Sequence, residues 1–185
     1  MLRDFSHYVF RFHVQFVEAL SSGIWFETFE HSIDNVELSA NPRFLNMYYE
    51  VKDVQLELPR GEIVSAKFLI WEEAPEDSEL VKVSLQFNSR EITVTDHDYF
   101  SALCSIRRVL ELEGGLLHCF GASRNVYPSP MSRDMGGGIK AYKLHLGSQA
   151  KLSDLVSIFD SGADMSPTTV DEQERFYKEW LASFC

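Results

Sequence analysis

The sequence has no long apolar run. The stretch between residues 8 and 20 is interrupted by polar and charged side chains, namely Arg11, His13, Gln15 and Glu18. It therefore lacks the continuous apolar core of a secretion signal. No later segment approaches the roughly 18 consecutive apolar residues that a bilayer-spanning helix needs. We expect a protein that has no membrane segment and does not bind membranes.

Cysteine is scarce, with three residues at Cys104, Cys119 and Cys185. An odd number cannot pair completely, and a bridge to the last residue would constrain little of the chain. Reduced thiols are typical of the cytoplasm. The sequence thus favours a cytoplasmic protein with free cysteines.

The patterns that usually mark catalytic and metal sites are missing. The six histidines are scattered, and no H-x-x-x-H, C-x-x-C or carboxylate-rich loop occurs among them. His118 and Cys119 are neighbours on a predicted strand, where they would point to opposite faces. No G-x-S-x-G nucleophile turn is present. We therefore expect no metal and no cofactor, and a protein that binds rather than catalyses.

Positive charge is also in short supply. Seventeen Lys and Arg oppose 28 Asp and Glu, for a net charge of −11. Residues 101–150 carry a net charge of +3, so the remainder of the chain carries −14. Such a chain repels nucleic acid and attracts basic partners. An acidic surface also serves solubility alone, and composition does not separate the two.

Alternating apolar residues dominate the first half of the chain and predict strands. Two of these strands, residues 8–16 and 24–30, would form a hairpin. Between residues 47 and 58 the apolar residues change from odd-numbered to even-numbered positions at Lys52-Asp53, which predicts a β-bulge or a break. Three further strands are predicted at residues 63–71, 81–87 and 92–94.

Helical spacing begins near Asp98 and ends at Gly114-Gly115, with Asp96 or Asp98 as the N-cap. Residues 116–120 and 139–146 are predicted strands. Apolar stripes predict two closing helices, one over residues 152–159 and one that begins with a capping box at Thr169 and Glu172. The fold class expected is α+β, a mostly antiparallel sheet packed against a few helices in the C-terminal half. A single domain spanning residues 1–185 is favoured.

A glycine-, proline- and serine-rich segment, residues 121–138, is interpreted as a long loop, and such loops often carry function. Consecutive glycines allow backbone N–H groups to converge on an anion, and nearby basic side chains can neutralise it. The candidate residues for a phosphorylated or carboxylated ligand are Arg124, Tyr127, Ser129, Arg133, Gly136, Gly137, Gly138 and Lys140. The same glycines also fit a tight turn into a strand.

An acidic turn between two predicted strands is the other candidate surface. Its carboxylates would attract a cationic protein, and an adjacent tryptophan would add an apolar anchor. The candidate partner-binding residues are Trp71, Glu72, Glu73, Glu76, Asp77 and Glu79. The same cluster also fits a solvated turn whose charge discourages aggregation at a sheet edge.

The run from Cys119 to Tyr142, together with the closing helix over residues 169–182, resembles segments of bacterial polymorphic-toxin and contact-dependent-inhibition immunity proteins. The resemblance implies binding and neutralisation of a cognate toxin domain, and it transfers no catalytic residue. With the acidic charge, it predicts a stoichiometric inhibitor of a basic toxin domain such as a nuclease. The alternative is a small-molecule-binding protein or enzyme built on the glycine-rich segment.

Overall fold

A computed structural model describes residues 49–74 and 77–184 of the protein. Within these residues, one antiparallel sheet has five strands, which are β1 (Tyr49–Glu57), β2 (Ile63–Trp71), β3 (Val81–Phe87), β4 (Arg90–Asp96) and β5 (Leu116–His118). Their order in the sheet is β4-β3-β2-β1-β5. A smaller antiparallel sheet, in the order β6-β7-β8, consists of β6 (Val126–Tyr127), β7 (Lys140–Lys143) and β8 (Leu155–Ser157).

Three α-helices accompany these sheets in the described ranges: α1 (Tyr99–Leu112), α2 (Pro130–Gly136) and α3 (Val170–Ala182). The predicted α+β class, with helices in the second half of the chain, is confirmed. The hairpin predicted at residues 8–16 and 24–30 lies outside the described residues, and the single domain over residues 1–185 stays a prediction.

One face of the large sheet and one face of α1 build the core. Alternate residues along the inner strands are buried because successive side chains point to opposite faces of a sheet. On α1 the buried positions recur every three or four residues, which turns one stripe towards the sheet. The principal core residues are Val54, Leu56, Phe68, Ile70, Val83, Leu85, Phe100, Leu103, Ile106 and Leu110.

Strand β1 is continuous, so the β-bulge or break predicted at Lys52-Asp53 is wrong. Its pairing with β2 runs without interruption from Tyr49 opposite Trp71 to Glu57 opposite Ile63. The alternation of apolar residues shifts by one position because Val51 lies on the outer face of the sheet, where it is 48% exposed. An apolar residue on the outer face imitates the signal of an inserted residue.

The N-terminus of α1 has the predicted cap, and of the two candidates it is Asp98. Its side chain accepts a hydrogen bond from the backbone N–H of Ser101 at 2.8 Å, as an N-cap carboxylate does. Gly114 ends the helix with a φ of +79°, a conformation that favours glycine.

The segment 121–138 is not a loop. It contains a 3-10 turn, β6 and α2, and the hydroxyl of Ser129 caps α2 by accepting from the N–H of Ser132. Pro130 occupies the first turn and Gly137 is the left-handed C-cap. Proline at the start and glycine just past the end are helix-terminus signals, and here they gave the segment the composition of a loop.

The helix predicted over residues 152–159 is also wrong. Residues Leu152–Asp154 form one 3-10 turn, and the chain then extends into β8, which pairs with β7. Leu152 is exposed, so the apparent stripe is not a buried face. A short apolar pattern does not separate helix from strand by itself, and pairing with β7 decides the outcome.

A buried polar cluster joins α1 to α3. Arg107 is only 2% exposed, and its guanidinium donates to the carbonyls of Gly121 (3.0 Å) and Thr168 (2.8 Å) and to Oε1 of Gln173 (2.5 Å). Nε2 of Gln173 in turn donates to the carbonyls of Gly121, Ser123 and Val126. These bonds satisfy backbone acceptors that burial has removed from water.

We predict that Gln173→Leu lowers the free energy of unfolding by about 2–3 kcal/mol, because it removes one hydrogen-bond donor from three buried carbonyls and one acceptor from Arg107. Urea denaturation measures this change. The matched control is Gln86→Leu, since Gln86 is exposed and makes no side-chain hydrogen bond within residues 49–74 and 77–184. Equal stability of the two variants would contradict a structural role for the cluster.

Gly121 lies where a side chain has no room, and we predict that Gly121→Ala destabilises the fold by about 2 kcal/mol through overpacking. An added Cβ would meet Leu103 Cδ2 at 2.5 Å and Ile158 Cβ at 2.8 Å. Gly136→Ala is the control, because nothing lies within 4 Å of its Cβ position. Thermal unfolding of both variants checks the prediction, which fails if the two midpoints agree.

Candidate partner-binding site

The acidic turn, residues 72–79, connects β2 to β3 and projects its carboxylates into solvent. Glu72, Glu73, Asp77 and Glu79 are exposed. Oδ1 of Asp77 accepts from the N–H of Glu79 at 2.9 Å, and two backbone hydrogen bonds join Ala74 to Leu80 and Asp77. Glu76 lies outside the described residues. The turn therefore has internal hydrogen bonds while its negative charges face outward.

Within residues 49–74 and 77–184, these carboxylates have no ion-pair partner. None of the four exposed acidic side chains forms an ion pair with any residue in the described ranges. By contrast, Glu50 pairs with Lys52 at 3.0 Å and Glu113 pairs with Arg90 at 2.5 Å. The negative charge of the acidic turn is therefore not neutralised by an ion pair among the described residues.

Trp71, at the start of the turn, does not present a large apolar surface. It is only 9% exposed, and its ring has the ammonium of Lys82 at 5.0 Å from the centroid. The Tyr99 hydroxyl donates to its carbonyl oxygen at 3.3 Å. Burial, and then the charges of Glu72 and Glu50, raise the pKa of Tyr99. The turn is consequently anchored to the N-terminus of α1.

A cavity of about 490 Å³ opens beside that helix terminus, and we name it the tyrosine cavity. It lies between the N-terminus of α1, strand β6, α2 and α3. Its lining residues are His97, Asp98, Tyr127, Pro128, Pro130, Arg133, Asp134 and Tyr177. The volume is in the range that small ligands or partner side chains occupy.

An ion pair closes one wall of the tyrosine cavity. Oδ2 of Asp98 accepts from Nη2 of Arg133 at 2.7 Å and from its Nε at 3.1 Å. The same Nη2 also donates to the hydroxyl of Ser101 at 2.7 Å. Because Asp98 neutralises Arg133, this wall adds little net charge to the cavity.

Other polar groups of the tyrosine cavity remain open. Within the part of the chain that the structure describes, no hydrogen bond engages the hydroxyls of Tyr127 and Tyr177, the carboxylate of Asp134 or the imidazole of His97. Burial raises the pKa of Tyr127, so this hydroxyl stays protonated at neutral pH. Several polar groups thus line one cavity with no internal partner.

The residues predicted to clamp an anion are dispersed. Arg124 lies over the ring of Phe176 at 4.9 Å and lines a different cavity of about 280 Å³. Arg133 is held by Asp98, and Lys140 is exposed at the start of β7 and lines neither cavity. Ser129 and Gly136 to Gly138 cap and end α2.

Sequence reasoning did not include Asp98, Asp134, His97 and Tyr177 in a binding site. Tyr177 belongs to the apolar stripe of α3, where the sequence signals packing rather than recognition. Its ring stacks on that of Tyr127 with centroids 4.0 Å apart, across 50 residues of sequence. No local pattern marks such a contact.

Comparison with known proteins gives no assignment, since no protein-family model matches the chain and no curated protein is significantly similar to it. Among residues 49–74 and 77–184, no helix has both the length and the apolarity to span a membrane. The same residues include no group of three or more His, Cys, Asp or Glu side chains placed to hold a metal ion.

Cys119 is a free thiol in the core and Cys104 is a free thiol packed against it, and burial raises the pKa of each to about 11. Only the thiolate reacts readily with alkylating reagents. We predict that iodoacetamide leaves both residues unmodified in the folded protein and modifies both in urea, as measured by peptide mass spectrometry. Rapid modification of the folded protein would contradict this burial.

The same thiols predict alkaline lability. Folding favours the neutral form of both thiols. Their contribution to the free energy of unfolding is therefore fully present below the pKa of the unfolded state, and it is lost as the pH rises through the pKa of the folded state. The free energy of unfolding should fall between pH values of about 9 and about 11. Replacing both cysteines by alanine should make that fall shallower, and an unchanged slope would assign it to other groups.

Proposed function

We propose that this protein is an immunity-type inhibitor, which binds a basic toxin domain stoichiometrically in the bacterial cytoplasm and neutralises it without turnover. The supporting observation is the acidic turn, whose four described carboxylates are exposed and have no ion-pair partner in the described ranges. Unpaired surface charge acts on an approaching protein, whereas internally paired charge does not.

Electrostatics gives the acidic turn its role in this proposal. Complementary charge raises the rate of association and selects the partner more than it raises affinity. The chain outside residues 101–150 carries −14, so the long-range field also favours a basic partner. The Debye length of about 8 Å at physiological salt confines strong attraction to the region near the carboxylates.

Affinity requires apolar contact in addition to charge, and α2 supplies it near the same end of the sheet. Met131 and Met135 lie four residues apart on this helix and are 70% and 84% exposed. The backbone N–H of Tyr99 donates to the carbonyl of Gly137 at 2.7 Å, which joins the end of α2 to the start of α1. Flexible methionines adapt well to a partner surface.

The alternative, an anion-binding protein or enzyme built on residues 121–140, has less support. Its three basic residues line different surfaces, and Arg133 already binds Asp98. Its glycines end a helix. We therefore keep the inhibitor as the primary proposal.

Co-expression with the toxin domain encoded immediately upstream tests the proposal, and growth should be rescued by the wild-type protein. We predict that Glu72→Lys with Glu73→Lys reduces the association rate constant by about 10- to 100-fold at low salt, because electrostatic steering is reversed. Surface plasmon resonance at several salt concentrations measures this rate.

The matched control is Asp53→Lys with Glu62→Lys, which changes the net charge equally at exposed positions on the outer face and at the opposite end of the sheet. This variant should rescue growth and associate nearly as fast as wild type. If both double variants behave alike, the acidic turn does not bind the toxin. If wild type fails to rescue growth, the inhibitor proposal fails.

A further inference from the structure

The tyrosine cavity and the acidic turn lie at the same end of the five-stranded sheet. Strand β4 ends at Asp96, opposite Val81, and the next residues, His97 and Asp98, line the cavity. Tyr99 connects the two features through its hydroxyl bond to Trp71 and its backbone bond to Gly137. A partner that docks on the acidic turn would therefore lie close to the cavity.

The tyrosine cavity favours a cation over an anion. Its basic side chain, Arg133, is neutralised by two hydrogen bonds to Asp98. Besides Asp98, the acidic side chain of the cavity is Asp134, which is exposed and has no ion-pair partner among the described residues. An anion entering here would meet that carboxylate, whereas a cation would be attracted to it.

Neighbouring aromatic rings pack against the faces of the two tyrosines that line the cavity. One face of Tyr177 stacks on Tyr127 at 4.0 Å and the ring also stacks with Trp180 at 5.9 Å. Phe100 contacts Tyr127 edge to face at 5.0 Å. Because neighbouring rings occupy these faces, recognition depends on hydrogen bonds to the hydroxyls rather than on stacking.

We infer that the tyrosine cavity receives an arginine side chain of the basic toxin partner. This inference rests on the proposed function and names the chemistry that the site would recognise. A guanidinium offers five N–H donors in a rigid plane, which can reach several separate acceptors at once. Asp134 supplies the carboxylate acceptor, and Tyr127 and Tyr177 supply hydroxyl acceptors. A lysine ammonium would reach fewer of these groups.

L-argininamide is the probe for a direct test, with binding followed by chemical-shift changes in the ¹⁵N and side-chain NMR spectra. We expect saturable shifts at His97, Tyr127, Asp134 and Tyr177. L-citrullinamide has nearly the same shape without the charge, and it should bind at least about tenfold more weakly, as expected for loss of a charge-assisted hydrogen bond. Equal binding of the two probes, or no saturation with L-argininamide, would overturn the inference.

Substitutions of cavity residues test whether L-argininamide binds in the tyrosine cavity. Asp134→Asn should weaken L-argininamide binding by about tenfold, and Tyr177→Phe should weaken it less while preserving the stacked ring. Glu62→Gln is the control, because it removes the same charge at the opposite end of the sheet and should leave binding unchanged. Selective shifts of the cavity with inorganic phosphate instead would overturn the inference and favour an anion site.

The toxin complex separates this inference from the proposed function. Combining Asp134→Asn with Tyr177→Phe should raise the dissociation constant for the toxin without changing the salt dependence set by the acidic turn. If this variant binds the toxin as tightly as wild type while the acidic-turn variant does not, the inference fails and the proposed function stands. If no toxin binds but L-argininamide does, the inhibitor function fails and the cation site stands.

Discussion

The buried hydrogen bonds of Arg107 and Gln173 fix the positions of α1, α3 and the segment 121–126 relative to one another. A guanidinium removed from water is costly unless its donors are satisfied. Here the Arg107 donors bind the backbone carbonyls of Gly121 and Thr168, and the side-chain oxygen of Gln173 is the third acceptor. Helix α3 is therefore held against α1 by directional bonds, and the position of Tyr177 relative to Tyr127 follows from that docking.

Polar groups with internal partners and polar groups without them lie in two different parts of the described chain. The interior cluster satisfies its own hydrogen bonds, and no buried side-chain polar atom among the described residues lacks a partner. At the end of the sheet the opposite holds, since the exposed carboxylates of the acidic turn and the hydroxyls of the tyrosine cavity have no partner among the residues that the structure describes. Groups left open in this way are available to a binding partner, which is why we propose recognition at that end rather than in the core.

Tyr99 links the fold to the candidate site. Its ring packs in the core against Phe159, its hydroxyl holds the carbonyl that precedes the acidic turn, and its N–H holds the end of α2. The residues that a partner would contact thus rest on a helix terminus whose position the core fixes. A site on such a support loses little conformational entropy when it binds.

The sequence by itself determined β2 and β3, the extent of α1, the start of α3 and the acidic turn, because alternation, capping and turn chemistry are local, but it left the cap of α1 open between Asp96 and Asp98. Tertiary structure alone decided that Val51 faces outward on an unbroken strand and that residues 155–157 pair as β8. The helix from Ser129 to Gly137 has local capping signals, but its proline and glycine content is also typical of a loop. Tertiary structure also decided the tyrosine cavity, whose residues meet only after α1, α2 and α3 have packed. Local patterns encode the preferences of neighbouring residues, whereas a cavity depends on contacts between residues far apart in the chain.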